Sequence, residues 1–297
     1  MKKTIFTGAG VAIVTPMNPD ESINFEELGR LIDHQIENGT DAIVICGTTG
    51  ESSTMTDQEH VDCIAYAVER TAGRVPVIAG AGSNDTAFAV QSVKQAKNLG
   101  ADALLLVTPY YNKTSQQGLI RHFLTIADAT DLPILLYNVP SRTTLEILPD
   151  TLRRLIPSGR FIALKEASAN LSLVLEKLDA IDGRLTLYSG NDDLTYLLLA
   201  MGAEGVISVV SNVLPGEMAA LCQAYFDGDA QDSLRRQIRL MPFIRALFRE
   251  VSPIPCKCAM EMMGQCSGEL RLPLIPAAEE TRMALKKCLT ELGYLKN

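Results

Sequence analysis

The sequence predicts an α/β protein, a (β/α)8 TIM barrel followed by a C-terminal helical appendix. Eight short runs rich in Val, Ile and Leu recur along the chain. They lack polar/apolar alternation, as parallel strands do when both faces are covered. Segments of helical periodicity separate them, which is the pattern of β/α units. Eight such units in about 225 residues match this barrel in number and in length.

The strands are expected at residues 10–15, 41–46, 75–79, 103–108, 134–138, 161–165, 185–189 and 205–209. Side-chain oxygens of Asn24, Asp57, Asn84 and Ser115 stand where helices should begin and can cap their free N–H groups. Beyond residue 228 the strand signal stops, and three helical segments follow near 230–249, 255–263 and 276–292. The chain therefore divides into a barrel over 1–227 and a helical region over 228–297, with no Gly/Ser-rich linker between them, so the appendix should pack on the barrel. A doubly wound open sheet is the structural competitor. It lacks support because no Gly-x-Gly-x-x-Gly follows the first strand.

Composition narrows the function. Of 297 residues, 47% are hydrophobic and 21% charged, a globular profile that excludes a disordered or collagen-like chain. Lys and Arg number 27 against 35 Asp and Glu, a formal charge of −8, and basic residues adjoin only in pairs such as Arg153-Arg154. Neither nucleic acid nor an anionic membrane is expected as a partner. No run of 18 apolar residues could span a bilayer. Met1-Lys2-Lys3 superficially resembles the start of a secretion signal, but Thr4, Thr7, Gly8 and Gly10 interrupt the apolar run, and it reads as a mature N-terminus. Seven cysteines, an odd number in a chain of this length, fit a reducing cytoplasm.

In such a barrel, chemistry sits at the C-terminal strand ends. Those ends carry Gly47-Thr48-Thr49-Gly50-Glu51-Ser52, Thr108-Pro109-Tyr110-Tyr111-Asn112, Tyr137-Asn138-Val139-Pro140-Ser141-Arg142 and Lys165-Glu166. Lys165 follows Phe161-Ile162-Ala163-Leu164 directly, so desolvation should lower its pKa and free the amine to attack a carbonyl. From position alone, an ordinary strand-end lysine paired with an acid stands as an equal reading. The Gly47–Ser52 stretch offers hydroxyls and close backbone N–H groups to an anion, although taken in isolation so short a motif reads better as a plain strand-to-helix turn. Tyr137 can hold and pass a proton or be a core phenol, and Arg142 can fork onto a carboxylate or be a solvated surface residue.

Metal and cofactor readings are poor. His34, His60 and His122 all fall in expected helices without zinc spacing. Cys256-x-Cys258 with Cys266 reads as buried thiols rather than a cluster, and Asn191 or Asp192 after the seventh strand reads as a helix cap rather than a calcium loop. No cofactor is expected.

Taken in order, these motifs resemble the dihydrodipicolinate synthase family, within the N-acetylneuraminate lyase superfamily of Schiff-base barrels. The resemblance runs from Val11-Ala12-Ile13-Val14-Thr15-Pro16 through Pro76-Val77-Ile78-Ala79-Gly80 and Lys165-Glu166-Ala167 to Gly205-Val206-Ile207-Ser208-Val209, nearly the whole chain. It implies a lyase that condenses pyruvate with L-aspartate 4-semialdehyde to 4-hydroxy-tetrahydrodipicolinate, in diaminopimelate and lysine synthesis. By the same resemblance Lys165 forms the imine and Thr48 and Thr49 bind the pyruvate carboxylate. Tyr137, Thr49 and Tyr111 form a proton relay, with Tyr111 supplied by the neighbouring subunit. Arg142 holds the carboxylate of the semialdehyde, and backbone atoms near Gly190 and Ile207 complete the pyruvate site. A homotetramer of two tight dimers is also implied.

Arg142 within Ser141-Arg142-Thr143 favours the synthase over a sugar-acid lyase, since an acidic aldehyde needs a cation. A barrel that binds an oxo acid without turning it over is the reading from another class, and the joint presence of Lys165, Tyr137, Tyr111 and Thr49 argues against it. A phosphate-binding isomerase barrel is a third, disfavoured because residues 205–211 lack a glycine-rich loop. In relatives inhibited by lysine, the pocket residues match Ser52, Ser53, His60, Asn84 and Tyr110. Here Asp57 replaces a histidine of that pocket and Phe88 a glutamate, so feedback by L-lysine should be weak or absent. The stretch Glu250-Val251-Ser252-Pro253-Ile254-Pro255 also departs from the family's usual Glu-Pro-Asn-Pro-Ile-Pro.

Overall fold

In the computed structural model, which describes residues 4–296, the apolar runs become eight strands. They are β1 (Gly8–Ala12), β2 (Ala42–Ile45), β3 (Val77–Gly80), β4 (Ala103–Val107), β5 (Ile134–Asn138), β6 (Phe161–Glu166), β7 (Thr186–Ser189) and β8 (Gly205–Ser208). Each pairs in parallel with the next, and β8 returns to β1 in a register from Gly8↔Gly205 to Val11↔Ser208, closing the barrel. That seam requires glycine. At Gly205 φ is +154°, and a Cβ there would collide with the carbonyl oxygen of Gly8. The expected mature start at Met1–Lys3 lies outside the described residues.

Helices α1 (Phe25–Glu37), α2 (Asp57–Thr71), α3 (Thr86–Asn98) and α4 (Gln116–Ala127) follow the first four strands. The short α5 (Pro140–Thr143) and α6 (Pro149–Leu155) follow β5; α7 (Leu171–Ile181), α8 (Thr195–Ala200) and α9 (Pro215–Phe226) follow the last three strands. The C-terminal helices are α10 (Ala230–Leu247), α11 (Ile254–Met262) and α12 (Glu279–Glu291), with α10 packed on α9 and α12. Two apolar layers result. One lies between strands and helices; the other fills the barrel with inward side chains such as Val44, Ile78, Leu105, Leu135 and Ile207. Phe6, just ahead of β1, stacks on Tyr188 with ring centroids 4.3 Å apart.

Several local expectations need correction. β1 begins and ends earlier than the expected 10–15. Ile13, Val14 and Thr15 stay buried beyond the strand, and the Ile13 N–H still donates to the Val44 carbonyl at 3.1 Å. The Val14 N–H, however, is taken by the Asn212 side chain at 2.9 Å, which ends the regular pairing. Asn24 and Ser115 cap α1 and α4 as expected. For α2 the cap is Thr56, which forms a reciprocal capping box with Glu59, and not Asp57. For α3 it is Asp85, while Asn84 donates its amide to the Tyr110 carbonyl. Neither Asn191 nor Asp192 caps its own helix by side chain. The Asp192 carboxylate instead accepts from the Ser208 hydroxyl and the N–H groups of Val209 and Val210, at the end of β8.

All seven cysteines are free thiols, six of them buried. Among the described residues no helix is long and apolar enough to cross a membrane, and no group of three His, Cys, Asp or Glu side chains is arranged to hold a metal ion.

Candidate active site

Strand register sets the site. Tyr137 on β5 stands in register with Lys165 on β6, so two side chains from adjacent strands emerge side by side at the barrel mouth. The Lys165 Nζ lies 4.2 Å from the centroid of the Tyr137 ring. Only 5% of Lys165 is exposed, and this burial lowers its amine to about 7; Asp192 pulls the value back up and Arg142 presses it down. Burial raises the Tyr137 phenol to about 12, opposed by the Arg142 charge and by a hydrogen bond with Thr48. The result is an amine largely able to lose its proton near neutrality, next to a phenol that keeps its own.

The next residue on each strand faces the opposite way and anchors the pair. Asn138 donates to Glu166 Oε1 at 2.8 Å, and Lys177 on α7 donates to Glu166 Oε2 at 2.7 Å. Lys177 also pairs with Glu146, which accepts from Asn138 as well. The Asn138 Oδ1 accepts from the Ile147 N–H, and Glu166 Oε1 from the Ser168 N–H. The buried Asn138 amide, the Lys177 ammonium and both carboxylate oxygens of Glu166 therefore all have partners, as buried polar atoms require.

A cavity of about 630 Å³ opens over Lys165 and Tyr137, and Thr48, Thr49, Arg142 and Gly190 also line it. Arg142 sits in α5, exposed, and donates to the Ser252 carbonyl at 3.1 Å. Gly190 lies against β6, where its N–H donates to the Glu166 carbonyl at 2.7 Å and an added Cβ would come 2.8 Å from Ala167 Cβ. The same cavity extends past Ser52, Ser53, Asp57, His60, Phe88 and Tyr110. His60 Nε2 meets the Gly80 carbonyl at 2.8 Å, so that nitrogen carries the proton, and burial lowers the imidazole pKa.

Three expected site residues stand outside the cavity wall: Asn84, which donates to the Tyr110 carbonyl, Ile207 and Tyr111. Ile207 is buried inside the barrel, on β8. Tyr111, at φ +67°, projects outward with 91% of its surface exposed. Of the two loop hydroxyls, the one that hydrogen-bonds to Tyr137 is that of Thr48, which is exposed, whereas Thr49 is buried; both residues line the cavity.

Sequence reasoning missed three groups. Asp192 was legible only as a cap, although it lies in the polar run after β7. The Asn138–Glu166–Lys177–Glu146 group and the ion pair between Glu51 and Lys257 join residues from distant segments, and no local spacing marks them.

The model of the Dihydrodipicolinate synthetase family matches residues 5–292 of the chain. The chain is 52% identical over 292 residues to the 4-hydroxy-tetrahydrodipicolinate synthase of Lachnoclostridium phytofermentans, with 98% of this chain and 99% of that protein covered. It is 50% identical over 290 residues to the enzyme of that name from Caldicellulosiruptor bescii, with 98% of each covered. The crystal structure of the chloride-inhibited dihydrodipicolinate synthase from Acinetobacter baumannii complexed with pyruvate matches with a TM-score of 0.95 at 40% identity, covering 98% of this chain and 100% of that one. With a closed barrel, a desolvated lysine at its mouth and similarity along almost its whole length, the chain belongs to the dihydrodipicolinate synthase family.

Proposed function

We propose that the chain condenses pyruvate with L-aspartate 4-semialdehyde to 4-hydroxy-tetrahydrodipicolinate, through a Schiff base on Lys165. The observation that carries this reading is the buried Lys165 amine, lowered to about 7 and set against Tyr137. A neutral amine can add to the pyruvate carbonyl carbon; loss of water leaves a protonated imine. The imine draws electrons from the neighbouring methyl group, which gives up a proton to form an enamine. The enamine carbon then forms the new bond to the semialdehyde carbonyl. Attack by the semialdehyde's amino group on the imine closes the ring and expels Lys165.

Proton traffic falls to Tyr137, whose phenol stays protonated near neutrality, with Thr48 as its hydroxyl partner. Thr48 and Thr49 take the pyruvate carboxylate, with backbone atoms at Gly190 and Ile207, and Arg142 takes the semialdehyde carboxylate with its planar fork. Tyr111 serves the relay of a neighbouring copy, and its outward projection supports that assignment. A homotetramer built of tight dimers follows from the family, and the cytoplasm is the compartment that suits seven free thiols.

Borohydride trapping with pyruvate, followed by peptide mass spectrometry, tests the reading. A pyruvyl adduct on Lys165, absent from Lys165→Ala, is expected. No adduct in the parent would refute Schiff-base catalysis and favour a barrel that only binds an oxo acid.

A further inference from the structure

The loop carrying Thr48 and Thr49 is held from a distant part of the chain. Cys46 and Glu51, at its two ends, both have positive φ, +55° and +56°. Non-glycine residues keep such conformations where their surroundings over-determine them. The Gly50 carbonyl accepts from the Thr15 hydroxyl at 2.8 Å. Glu51 is buried and is not part of the cavity wall, so its carboxylate is free of any direct role toward a ligand there.

What meets that carboxylate is the C-terminal region. The Lys257 Nζ, from α11, lies 2.5 Å from Glu51 Oε1, and the backbone N–H of Arg271 donates to Oε2 at 3.2 Å. Both charged side chains of the pair are essentially inaccessible to water. Lys257 also donates to the Glu269 carbonyl at 2.7 Å, and the Arg271 guanidinium donates to the Thr54 carbonyl at 2.9 Å. Residues 51 to 54 are thus gripped at both ends by groups more than 200 positions later in the chain.

A buried ion pair contributes little net stability compared with well-packed apolar groups, but it fixes one geometry. We propose that Lys257 is a positioning residue for the pyruvate carboxylate: through Glu51 it sets the Thr48–Thr49 backbone and hydroxyls at the cavity wall. The inference rests on the function proposed above. Its effect should fall on pyruvate and leave the semialdehyde, held by Arg142 in α5, unaffected.

The test compares Lys257→Met with the double variant Glu51→Gln/Lys257→Met. The single variant strands a buried carboxylate, so a lower Tm is expected with a pyruvate KM raised about tenfold, as for a binding group moved from its optimum. The double variant removes both charges. Its Tm should return close to the parent value while the pyruvate KM stays about tenfold high and the semialdehyde KM stays unchanged. Recovery of the pyruvate KM together with Tm would overturn the proposal, because the pair would then act on stability alone. If those variants do not fold, Glu51→Gln alone, which keeps an acceptor for the Arg271 N–H, should raise the pyruvate KM; an unchanged value counts against positioning. Borohydride trapping on the parent separates the two readings. Without an adduct the proposed function fails, whereas an adduct with unaltered KM in the variants removes only the role of Lys257.

Discussion

The Lys165 ammonium position lies over the face of the Tyr137 ring, 4.2 Å from its centroid, rather than being defined by the phenol oxygen. A cation over an aromatic face is favoured, yet burial outweighs that attraction and leaves the amine at about 7. Ring and hydroxyl therefore have separable tasks. In Tyr137→Phe the ring remains, so pyruvate should still be trapped on Lys165, while kcat falls about 100-fold or more through loss of the proton-transfer group. Trapping yield and steady-state kcat measured on the same preparation check this; loss of both together would contradict the division.

The depressed Lys165 value has a pH signature in stability. An unfolded lysine titrates near 10.5 and this one at about 7. Between those values the unfolded chain binds more protons, so stability rises with pH across that window, and the penalty is complete below about 7. Lys165→Met abolishes it. The variant should exceed the parent in stability at pH 6, with the gap closing as pH approaches about 10. Denaturant unfolding at a series of pH values reads this directly, and a gap that does not vary with pH would be inconsistent with the depressed amine.

Lys177 neutralises Glu166, whose side chain is fully buried, and also reaches the partly exposed Glu146. Removing the lysine alone leaves Glu166 without its cation. Lys177→Met is expected to destabilise the fold by about 3–5 kcal/mol, and Lys177→Met/Glu166→Gln to recover much of that loss. Equal stability of the single variant and the parent would show that Asn138 and Ser168 suffice for Glu166.

Phe88 puts an aromatic wall in the part of the cavity shared with His60 and Tyr110, where the resemblance implies a carboxylate in lysine-inhibited relatives. Its ring offers no acceptor to an ammonium in the manner of a carboxylate. L-lysine should inhibit weakly or not at all, and Phe88→Glu should strengthen inhibition. Half-inhibition of the parent at sub-millimolar lysine in a steady-state assay would rule this out.

Strand number, order and the lysine at the sixth strand end were legible because they are local: an apolar run, then a polar residue. Tyr137 and Arg142 were legible for the same reason. The end of β1 was not, because residues beyond Ala12 remain buried after regular pairing ends, and burial rather than pairing shapes composition. Thr56 and Asp85 displaced neighbouring caps one residue away, a choice made by backbone geometry. Thr48 and Thr49 are adjacent and chemically identical, so which of them meets Tyr137 depends on the turn of the loop. Lys257 and Glu51, separated by 206 positions, carry no mutual mark in the sequence.

The pairing of β1 with β8 also governs how the chain must be made. Val11 leaves the ribosome early, but its partner Ser208 arrives almost 200 residues later. Until then the nascent sheet has two open edges, each with unpaired backbone groups able to recruit another chain. Slow synthesis prolongs this exposure, and the large sequence separation delays closure. The barrel that has no edge when finished is thus most in need of protection during the interval before its last strand emerges.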